Sequence, residues 1–240
     1  MPRRGRRGIL ALAWRAFGYA LGALVMTAFL VQAWFLAHVL YLNAFNPSST
    51  AFMDRRLQAM RVRNPSAQLR YHWVPYERIS VHLKRAVVAA EDAKFLDHEG
   101  FDWEAIQRAM ERNEKRGRIV AGASTISQQL AKNLFLSGER SWTRKGEEAA
   151  ITWMLEHVMS KRRILELYLN VAEWGEGVFG AEAAARYHFG VPASSLGAEQ
   201  AAFLAVILPS PRRYDRTRLT PYIASRVDTV LARMKSAQIP

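Results

Sequence analysis

The sequence predicts an all-α protein in which one membrane-spanning helix precedes a compact, irregular helical domain. Two observations predict this fold class. Residues 16–42 form a stretch of 27 residues without a Lys, Arg, Asp or Glu, and about 20 apolar residues are enough to cross a bilayer. Beyond position 82, nearly every segment carries its apolar residues at helical spacing, whereas strand character is confined to 69–80 and is interrupted there by Pro75.

The apolar stretch is typical of a retained anchor. A cleaved signal peptide, the alternative, would have an apolar region of only about 7–15 residues, and this stretch ends in the bulky residues Trp34, Phe35 and Leu36. Arginines precede it and no acidic residue occurs before position 43, so the positive-inside rule places the N-terminus in the cytoplasm. We therefore predict a cytoplasmic tail (1–15), a transmembrane helix (16–42), a membrane-proximal linker or amphipathic segment (43–70) and one domain (71–240).

The charge of the chain indicates its class of partner. The net charge is +13, of which +5 lies in the first 42 residues and +8 in the rest. A basic domain tethered to a membrane suits anionic lipid headgroups or an anionic lipid-linked substrate, although a generally basic proteome would explain the same excess. Nucleic acid is disfavoured, because the domain lies outside the cytoplasm and has no recognition motif. The absence of cysteine excludes disulfides, zinc–thiolate sites and thiol catalysis.

Periodicity and caps predict the order of the helices. Segment 50–60 is amphipathic and lies either on the membrane surface or on the domain. Thr125 and Gln128 form a capping box, Asp102 caps a helix that turns Trp103 and Met110 inward, and 173–180 is glycine-rich and irregular. Residues 116–123 are expected to be a mobile loop, and a PSP turn follows position 208. The expected helices are 83–96, 102–114, 125–134, 141–159, 164–170, 181–189, 198–208 and 221–235.

The first candidate site lies in RAVVAAEDAKFLDHEG, residues 85–100. On a helix, Val87, Glu91 and Phe95 share one face, together with His98 if the helix extends that far. A carboxylate on an apolar face needs a partner or a chemical role. Glu91 is therefore either a general acid or base with a tuned pKa or the partner of a nearby Lys or Arg.

The second candidate site is GASTISQQLAKN, residues 122–133. Ser124 lies at a helix N-terminus, where free N–H groups favour an anion. Gln128, Gln129 and Lys132 follow on the helix and form either a wall of donors suited to a phosphate or sugar hydroxyls or a polar face in solvent.

The third candidate site is RKGEE, residues 144–148. Arg144 and Glu148 are spaced as a helix pair, which on the surface would contribute only about 0.2–0.5 kcal/mol. Glu148 leads into an apolar run, however, and so can point into a cleft. Two glutamates with Lys132, Arg144 and Lys145 between them suit sugar chemistry at a pyrophosphate, because carboxylates transfer protons and cations stabilise the leaving group.

Together these segments resemble the family 51 glycosyltransferases, the peptidoglycan glycosyltransferases with a lysozyme-like fold. EDAKFLDHEGFD, GASTISQQLAKNLFL, RKGEE, KRRILELYLN and the run from NVAEWGEGVFG occur in that family's order and spacing, over about residues 73–211. WGEGVFG, and a chain that ends with this domain, look most like the monofunctional biosynthetic branch. The bifunctional relatives add a transpeptidase, and neither S-x-x-K nor K-T-G occurs here.

The resemblance implies roles for these residues. Glu91 matches the catalytic base that deprotonates the C4 hydroxyl of lipid II, which then attacks the lipid-linked glycan with inversion, forms a β-1,4 bond and releases undecaprenyl pyrophosphate. Glu148 matches the second catalytic glutamate, whose role is structural, metal-linked or assistance to the leaving group. The remaining matches are expected to bind substrate or to support the residues that do, and they are Lys132, Arg144, Lys145, Ser124, Gln128, Gln129, Asp92 and His98.

The resemblance also implies the setting of the reaction. No cofactor is required, and a divalent cation (magnesium or manganese) can assist at the pyrophosphate. The partners are lipid II, lipid-linked glycan, the membrane and proteins of cell-wall synthesis complexes, and the location is the inner membrane with the catalytic domain in the periplasm. Two rival functions stay open: a membrane-anchored lytic transglycosylase or lysozyme-like hydrolase, which needs no pyrophosphate site, and a non-catalytic scaffold, which needs no Glu91.

Overall fold

The computed structural model describes residues 4–118, 122–136, 141–215 and 220–240. The chain separates into two compact units, one ending at Ala44 and one beginning at Phe45. The first unit is a single helix, α1 (Arg4–Ala44). Its portion Leu12–Ala44 is 33 residues long with a mean hydropathy of 1.9, which exceeds the length needed to cross a bilayer. The prediction of one N-terminal membrane-spanning helix is confirmed by this length and composition.

The second unit is mainly helical, as predicted. The helices are α2 (Ala51–Arg63), α3 (Val81–Glu91), α4 (Trp103–Arg116), α5 (Ile126–Phe135), α6 (Trp142–Val158), α7 (Lys161–Val171), α8 (Ala181–Phe189), α9 (Ala198–Ile207), α10 (Pro211–Tyr214) and α11 (Pro221–Met234). Short 3-10 turns cover Tyr76–Arg78 and Ala193–Ser195. The strands are β1 (Arg70–Tyr71), β2 (Glu173–Gly175) and β3 (Val178–Phe179).

Two groups of helices build the core. α3 packs against α9 and α11, and α5 packs against α6, α7 and α2. Side-chain caps fix where several of these helices begin: the Thr125–Gln128 capping box opens α5 as predicted, and Ser141 caps α6. Each such cap satisfies an N–H group that has no partner within its helix. The two groups meet where α3 ends and α5 begins, so the last residues of α3 lie beside the first turn of α5.

A small sheet replaces the irregular segment that was expected at 173–180. β2 and β3 form an antiparallel hairpin, and β1 adds to β3 in parallel, with Arg70 opposite Val178. Gly180 follows β3 with a φ of +85°, and a Cβ there would lie 2.7 Å from the carbonyl oxygen of Asn170. Only glycine fits both the torsion and the space, and α8 can therefore begin directly after the sheet.

Two helix predictions were wrong. The helix predicted to run to Leu96 ends at Glu91, because Asp92 leaves helical geometry and turns its side chain towards α5. Hence Phe95 is buried and His98 partly buried, but neither lies on a face of α3. On α4, Trp103 and Met110 are 72% and 66% exposed instead of inward, since α4 does not pack extensively against another described helix.

Three further predictions concern α2, the turn after position 208 and the loop at 116–123. α2 is packed on the domain: Met53 is buried, and Phe52 meets Phe179 edge to face. A short helix, α10, occupies the turn expected after position 208. Part of the loop predicted to be mobile, around Ile119, lies outside the described residues.

Candidate active site

Glu91 is the last residue of α3, and its carboxylate is held from one side. Gln129 on α5 donates from Nε2 to Oε2 of Glu91 at 2.7 Å. The side chain lies at the meeting point of the two helix groups and is largely buried there. This burial raises the pKa of Glu91 above its ordinary value of 4.5, although the Gln129 hydrogen bond and the charge of Lys132 oppose the rise. A carboxylate with a raised pKa is a stronger base, as proton abstraction requires.

Asp92 fixes the position of that carboxylate by tying α3 to α5. Its Oδ2 accepts from the backbone N–H of Ile126 at 3.0 Å, at the first turn of α5. Its Oδ1 lies 2.9 Å from Nε2 of His98. The N–H of Gly100 donates to Nδ1 of His98 at 3.1 Å, which leaves the proton of the neutral ring on Nε2, directed at Asp92. Asp92 is buried, so these donors replace the water that its charge has lost.

The segment that follows Asp92 is held by further contacts. The hydroxyl of Thr125 donates to the carbonyl of Gly100 at 2.7 Å, and Lys161 donates to the carbonyl of His98. Lys161 also forms an ion pair with Glu156 at 2.8 Å and lies 4.7 Å from the ring centroid of Phe95. Lys161 therefore supports the segment that follows Asp92 and has a structural role. Glu166 is structural too, since it accepts from the backbone N–H of Tyr76.

A cleft of about 960 Å³ opens beside Glu91. α5 supplies one wall, α6 the second, α2 the third, and the segment 208–213 the fourth. Its lining contains seven Lys or Arg and only two Glu, which suits a ligand with more than one negative charge. The polar and charged lining residues are Arg55, Arg56, Ser124, Gln128, Gln129, Lys132, Asn133, Arg144, Lys145, Glu148, Tyr168, Glu173, Ser210, Arg212 and Arg213.

Glu148 is buried in the cleft wall at 3% exposure, between two cations. Arg144 donates from Nη1 to Oε2 at 3.3 Å, and Lys145 donates to Oε1. Both oxygens are thus engaged by cations, in an arrangement that orients Arg144 and Lys145 towards the cleft. The ion pair between Arg144 and Glu148 is therefore stronger than the exposed helix pair that the spacing predicts, because charges removed from water are less screened.

Arg144 and Lys132 are the cations best placed for an anion. The Nε of Arg144 is buried and has no hydrogen-bond partner within the described part of the chain, and an unpaired buried N–H is costly unless a ligand accepts from it. Burial lowers the pKa of Lys132 below 10.5; the charge of Glu148 opposes this, and Arg144 and Lys145 reinforce it. An anion in the cleft would accept a hydrogen bond from Nε of Arg144 and would stabilise the charged form of Lys132.

The α2 wall was not predicted as part of the site. Arg56 makes a bidentate ion pair with Glu173, Nε to Oε1 at 2.6 Å and Nη2 to Oε2 at 2.7 Å. Arg55 has no carboxylate partner among the described residues, and burial, followed by repulsion from Arg56 and Arg144, lowers its pKa. The signal in the sequence was the adjacent Arg55–Arg56 pair; an equivalent Arg212–Arg213 pair at α10 was also overlooked.

The predicted site residues thus fall into two groups. Those that line the cleft are Ser124, Gln128, Gln129, Lys132, Arg144, Lys145 and Glu148. Glu91, Asp92 and His98 do not line the cleft. Glu91 is hydrogen-bonded to Gln129, which does line it, and Asp92 and His98 are paired with each other behind Glu91. Oε1 of Gln128 accepts from the N–H of Thr125, and its amide nitrogen is the group that can donate to an anionic ligand.

A bound divalent cation has no evident set of protein ligands here. Within the residues that the structure describes, no group of three His, Asp or Glu side chains is arranged to hold a metal. The two cleft glutamates, Glu148 and Glu173, are already paired with cations, whereas magnesium is usually held by one or two carboxylates together with substrate phosphates and water. No step of the chemistry below is therefore assigned to a metal.

Comparison with known proteins identifies the class of enzyme. A model of the transglycosylase family matches residues 57–235, which include the second half of α2, all of α3 to α11, and every cleft-lining residue except Phe52, Arg55 and Arg56. The chain belongs to the transglycosylase family.

The relatives of this transglycosylase agree with that assignment over nearly their full length. It is 58% identical to the "Biosynthetic peptidoglycan transglycosylase" of Nitrosospira multiformis over 95% of this chain and 97% of the relative. A protein of the same name from Azoarcus sp. is 58% identical over 95% and 98%. That of Dechloromonas aromatica is 60% identical over 87% and 90%. The transglycosylase is a glycosyltransferase, and the resemblance found in its sequence motifs is confirmed.

Proposed function

We propose that this chain polymerises peptidoglycan glycan strands, using lipid II as acceptor and a lipid-linked glycan as donor. Glycan polymerisation and membrane association follow from the family and from the name that its relatives share. The proposal adds the substrates, the stereochemistry and the roles of individual residues. The observation that carries it is a carboxylate of raised pKa, Glu91, fixed beside a cleft whose lining cations outnumber its carboxylates.

Glu91 acts as the general base. It takes the proton of the C4 hydroxyl of lipid II, and the oxygen forms a bond to C1 of the donor sugar. The bond from C1 to the pyrophosphate breaks at the same time, and its electron pair leaves with undecaprenyl pyrophosphate. Attack from the face opposite the leaving group inverts the configuration at C1 and gives a β-1,4 bond.

The cations of the cleft stabilise the leaving group. Negative charge grows on the pyrophosphate as its bond to C1 breaks, and preorganised donors lower the energy of that state most. Arg144 offers its unpaired Nε, Lys132 lies one turn beyond Gln128 on α5, and Glu148 holds Arg144 and Lys145 in place. We assign Glu148 this orienting role.

A lipid II polymerisation assay tests the base assignment, using the full chain in detergent. We expect Glu91→Gln to lose about 100-fold or more in rate, since general-base catalysis contributes about 10²–10⁴-fold. Glu99→Gln is the matched control, because Glu99 is an exposed carboxylate of the neighbouring segment, and its rate should not change. Normal polymerisation by Glu91→Gln would show that another group is the base.

The same preparation separates synthesis from hydrolysis. A lytic enzyme or a lysozyme-like hydrolase would cleave finished glycan, and it has no use for the cations of the cleft. We expect product from lipid II and no cleavage of finished strands. Cleavage without polymerisation would favour the hydrolase. The absence of both polymerisation and cleavage would favour a scaffold. Addition of a metal chelator to the assay tests whether a divalent cation assists.

We place the N-terminus in the cytoplasm and the catalytic domain in the periplasm at the inner membrane. The arginines before the membrane helix support this orientation. The chain has no cysteine, so single substitutions give a clean test: a membrane-impermeant thiol reagent should label Ser48→Cys in spheroplasts and leave Gly5→Cys unlabelled. The opposite pattern would reverse the topology. We expect no transpeptidase activity, and any partners within a wall-synthesis complex would be found by cross-linking in cells.

A further inference from the structure

The two carboxylate oxygens of Glu91 have different surroundings. Oε2 accepts the hydrogen bond from Nε2 of Gln129 at 2.7 Å. Oε1 has no hydrogen-bond partner in the part of the chain that the structure describes, and Glu91 retains some exposure. A carboxylate oxygen that already accepts a strong hydrogen bond is the poorer acceptor for a further proton. The unlike surroundings therefore distinguish the two oxygens as bases.

The orientation of Gln129 depends on a third residue, Tyr168 of α7. A carboxamide has a donor end and an acceptor end, and an ionised Glu91 can be bound only by the donor end. This turns Oε1 of Gln129 towards Tyr168, whose hydroxyl donates to it at 2.9 Å. Tyr168 is 1% exposed, and burial keeps its pKa well above the ordinary value. The hydroxyl thus keeps its proton, and stays a donor, beyond the pH at which an exposed tyrosine would ionise.

Without the Tyr168 hydroxyl, this arrangement would lose its support. The acceptor end of Gln129 would lose its hydrogen bond from the buried Tyr168 hydroxyl, and a partly buried acceptor without a partner costs free energy. The amide could also turn over and present its oxygen to Glu91, which repels the ionised carboxylate and favours the protonated one. Both effects act against the form of Glu91 that accepts a proton.

We propose that Tyr168 is a positioning residue of glycosyl transfer, which acts through Gln129 to keep Glu91 ionised and to leave Oε1 as the oxygen that takes the acceptor's proton. This rests on the proposed role of Glu91 as base and deepens it. The proton moves from the acceptor hydroxyl to Oε1, while Oε2 keeps its hydrogen bond from Gln129 throughout. Gln129, expected from the sequence to bind substrate, then serves the base as well as the cleft.

The test is the pH dependence of kcat/KM for lipid II, measured on the full chain in detergent. Tyr168→Phe keeps the buried ring and removes only the hydroxyl. We expect its acid limb to move to higher pH, with kcat/KM about tenfold below wild type on the acid side and approaching wild type on the alkaline side. Tyr76→Phe is the matched control: Tyr76 is 5% exposed and donates its hydroxyl to the carbonyl of Pro240 at 2.6 Å, outside the cleft.

A second variant tests the path through Gln129. Gln129→Met should give a similar shift of the acid limb, and adding Tyr168→Phe to it should shift the limb no further, because the hydroxyl acts only through the amide. If Tyr168→Phe alone folds poorly, the profile of Gln129→Met by itself tests the path, and an unmoved acid limb in that variant would overturn it. A loss of rate that is equal at all pH values, an unchanged profile or fully additive shifts would overturn the inference.

The outcome for Glu91→Gln separates this inference from the proposed function. If Glu91→Gln is inactive while Tyr168→Phe keeps the wild-type profile, Glu91 remains the base and only the role of Tyr168 is refuted. If Glu91→Gln polymerises normally, the base assignment itself fails, and the inference fails with it.

Discussion

The ion pair between Arg56 and Glu173 is expected to hold the α2 wall of the cleft in place. The side chain of Glu173 is 4% exposed and that of Arg56 13%. Arg56→Met would leave Glu173 as a buried carboxylate whose one remaining hydrogen-bond donor among the described residues is the N–H of Gly177, at 3.2 Å. Breaking a buried pair from one side costs about 3–5 kcal/mol. At about 2–4 °C per kcal/mol for a domain of this size, we expect the unfolding midpoint to fall by about 6–20 °C.

Thermal unfolding of the full chain in detergent, followed by near-UV circular dichroism, measures this change. Arg63→Met is the matched control, because Arg63 lies on the same helix and pairs with Glu176 of the same hairpin, at side-chain exposures of 64% and 34%. A surface pair of this kind contributes less than about 1 kcal/mol. The double variant Arg56→Met with Glu173→Leu should be no less stable than Arg56→Met alone, since it leaves no unpaired charge. Equal, small effects of Arg56→Met and Arg63→Met would refute the reasoning.

Three further predictions follow from the site and the fold. Glu148→Gln removes a negative charge that raises the pKa of Lys132 against the effect of burial, so the alkaline limb of kcat/KM should move to lower pH; an unmoved limb would exclude Lys132 as the titrating cation. Gly180→Ala should lower the unfolding free energy by more than about 2 kcal/mol, from a positive φ and a contact at 2.7 Å with Asn170; a midpoint equal to wild type would contradict this. The raised pKa of Glu91 disfavours folding as the pH rises above its ordinary value of 4.5, so Glu91→Gln should raise the midpoint at pH 8 and change it little at pH 4, and the reverse order would show that burial does not raise this pKa.

The structure also suggests why the cleft lies where it does. Asp92 joins the end of α3 to the start of α5, so the base and the wall of donors are positioned by the same contact. Two of the other walls come from α6 and α2, which both pack on α5, and the segment 208–213 supplies the fourth. A displacement of α5 would therefore change the positions of the base, the leaving-group cations and the α2 wall together.

Local sequence signals predicted the elements whose causes are local. The capping box at Thr125 and Gln128, the helix at 181–189 and the uncharged membrane helix each follow from residues within a few turns of one another. The end of α3 could not be predicted in this way, because the residue that ends it, Asp92, is drawn out of the helix by the N–H of Ile126, 34 positions away. The hairpin at 173–179 depends likewise on pairing with β1, about 100 residues earlier.

The sequence by itself determined which groups the protein has for chemistry: a carboxylate at the end of an apolar helix, a donor-rich helix start, a run of cations and a membrane anchor. Residue type and spacing suffice for these, because they depend on the covalent order of the chain. Only the tertiary structure decided which oxygen of Glu91 is held by Gln129, that Tyr168 supports that amide, and that Arg55 and Arg56 close the cleft. Hydrogen bonds act over about 3 Å, and only folding brings residues 38 or 117 positions apart within that distance.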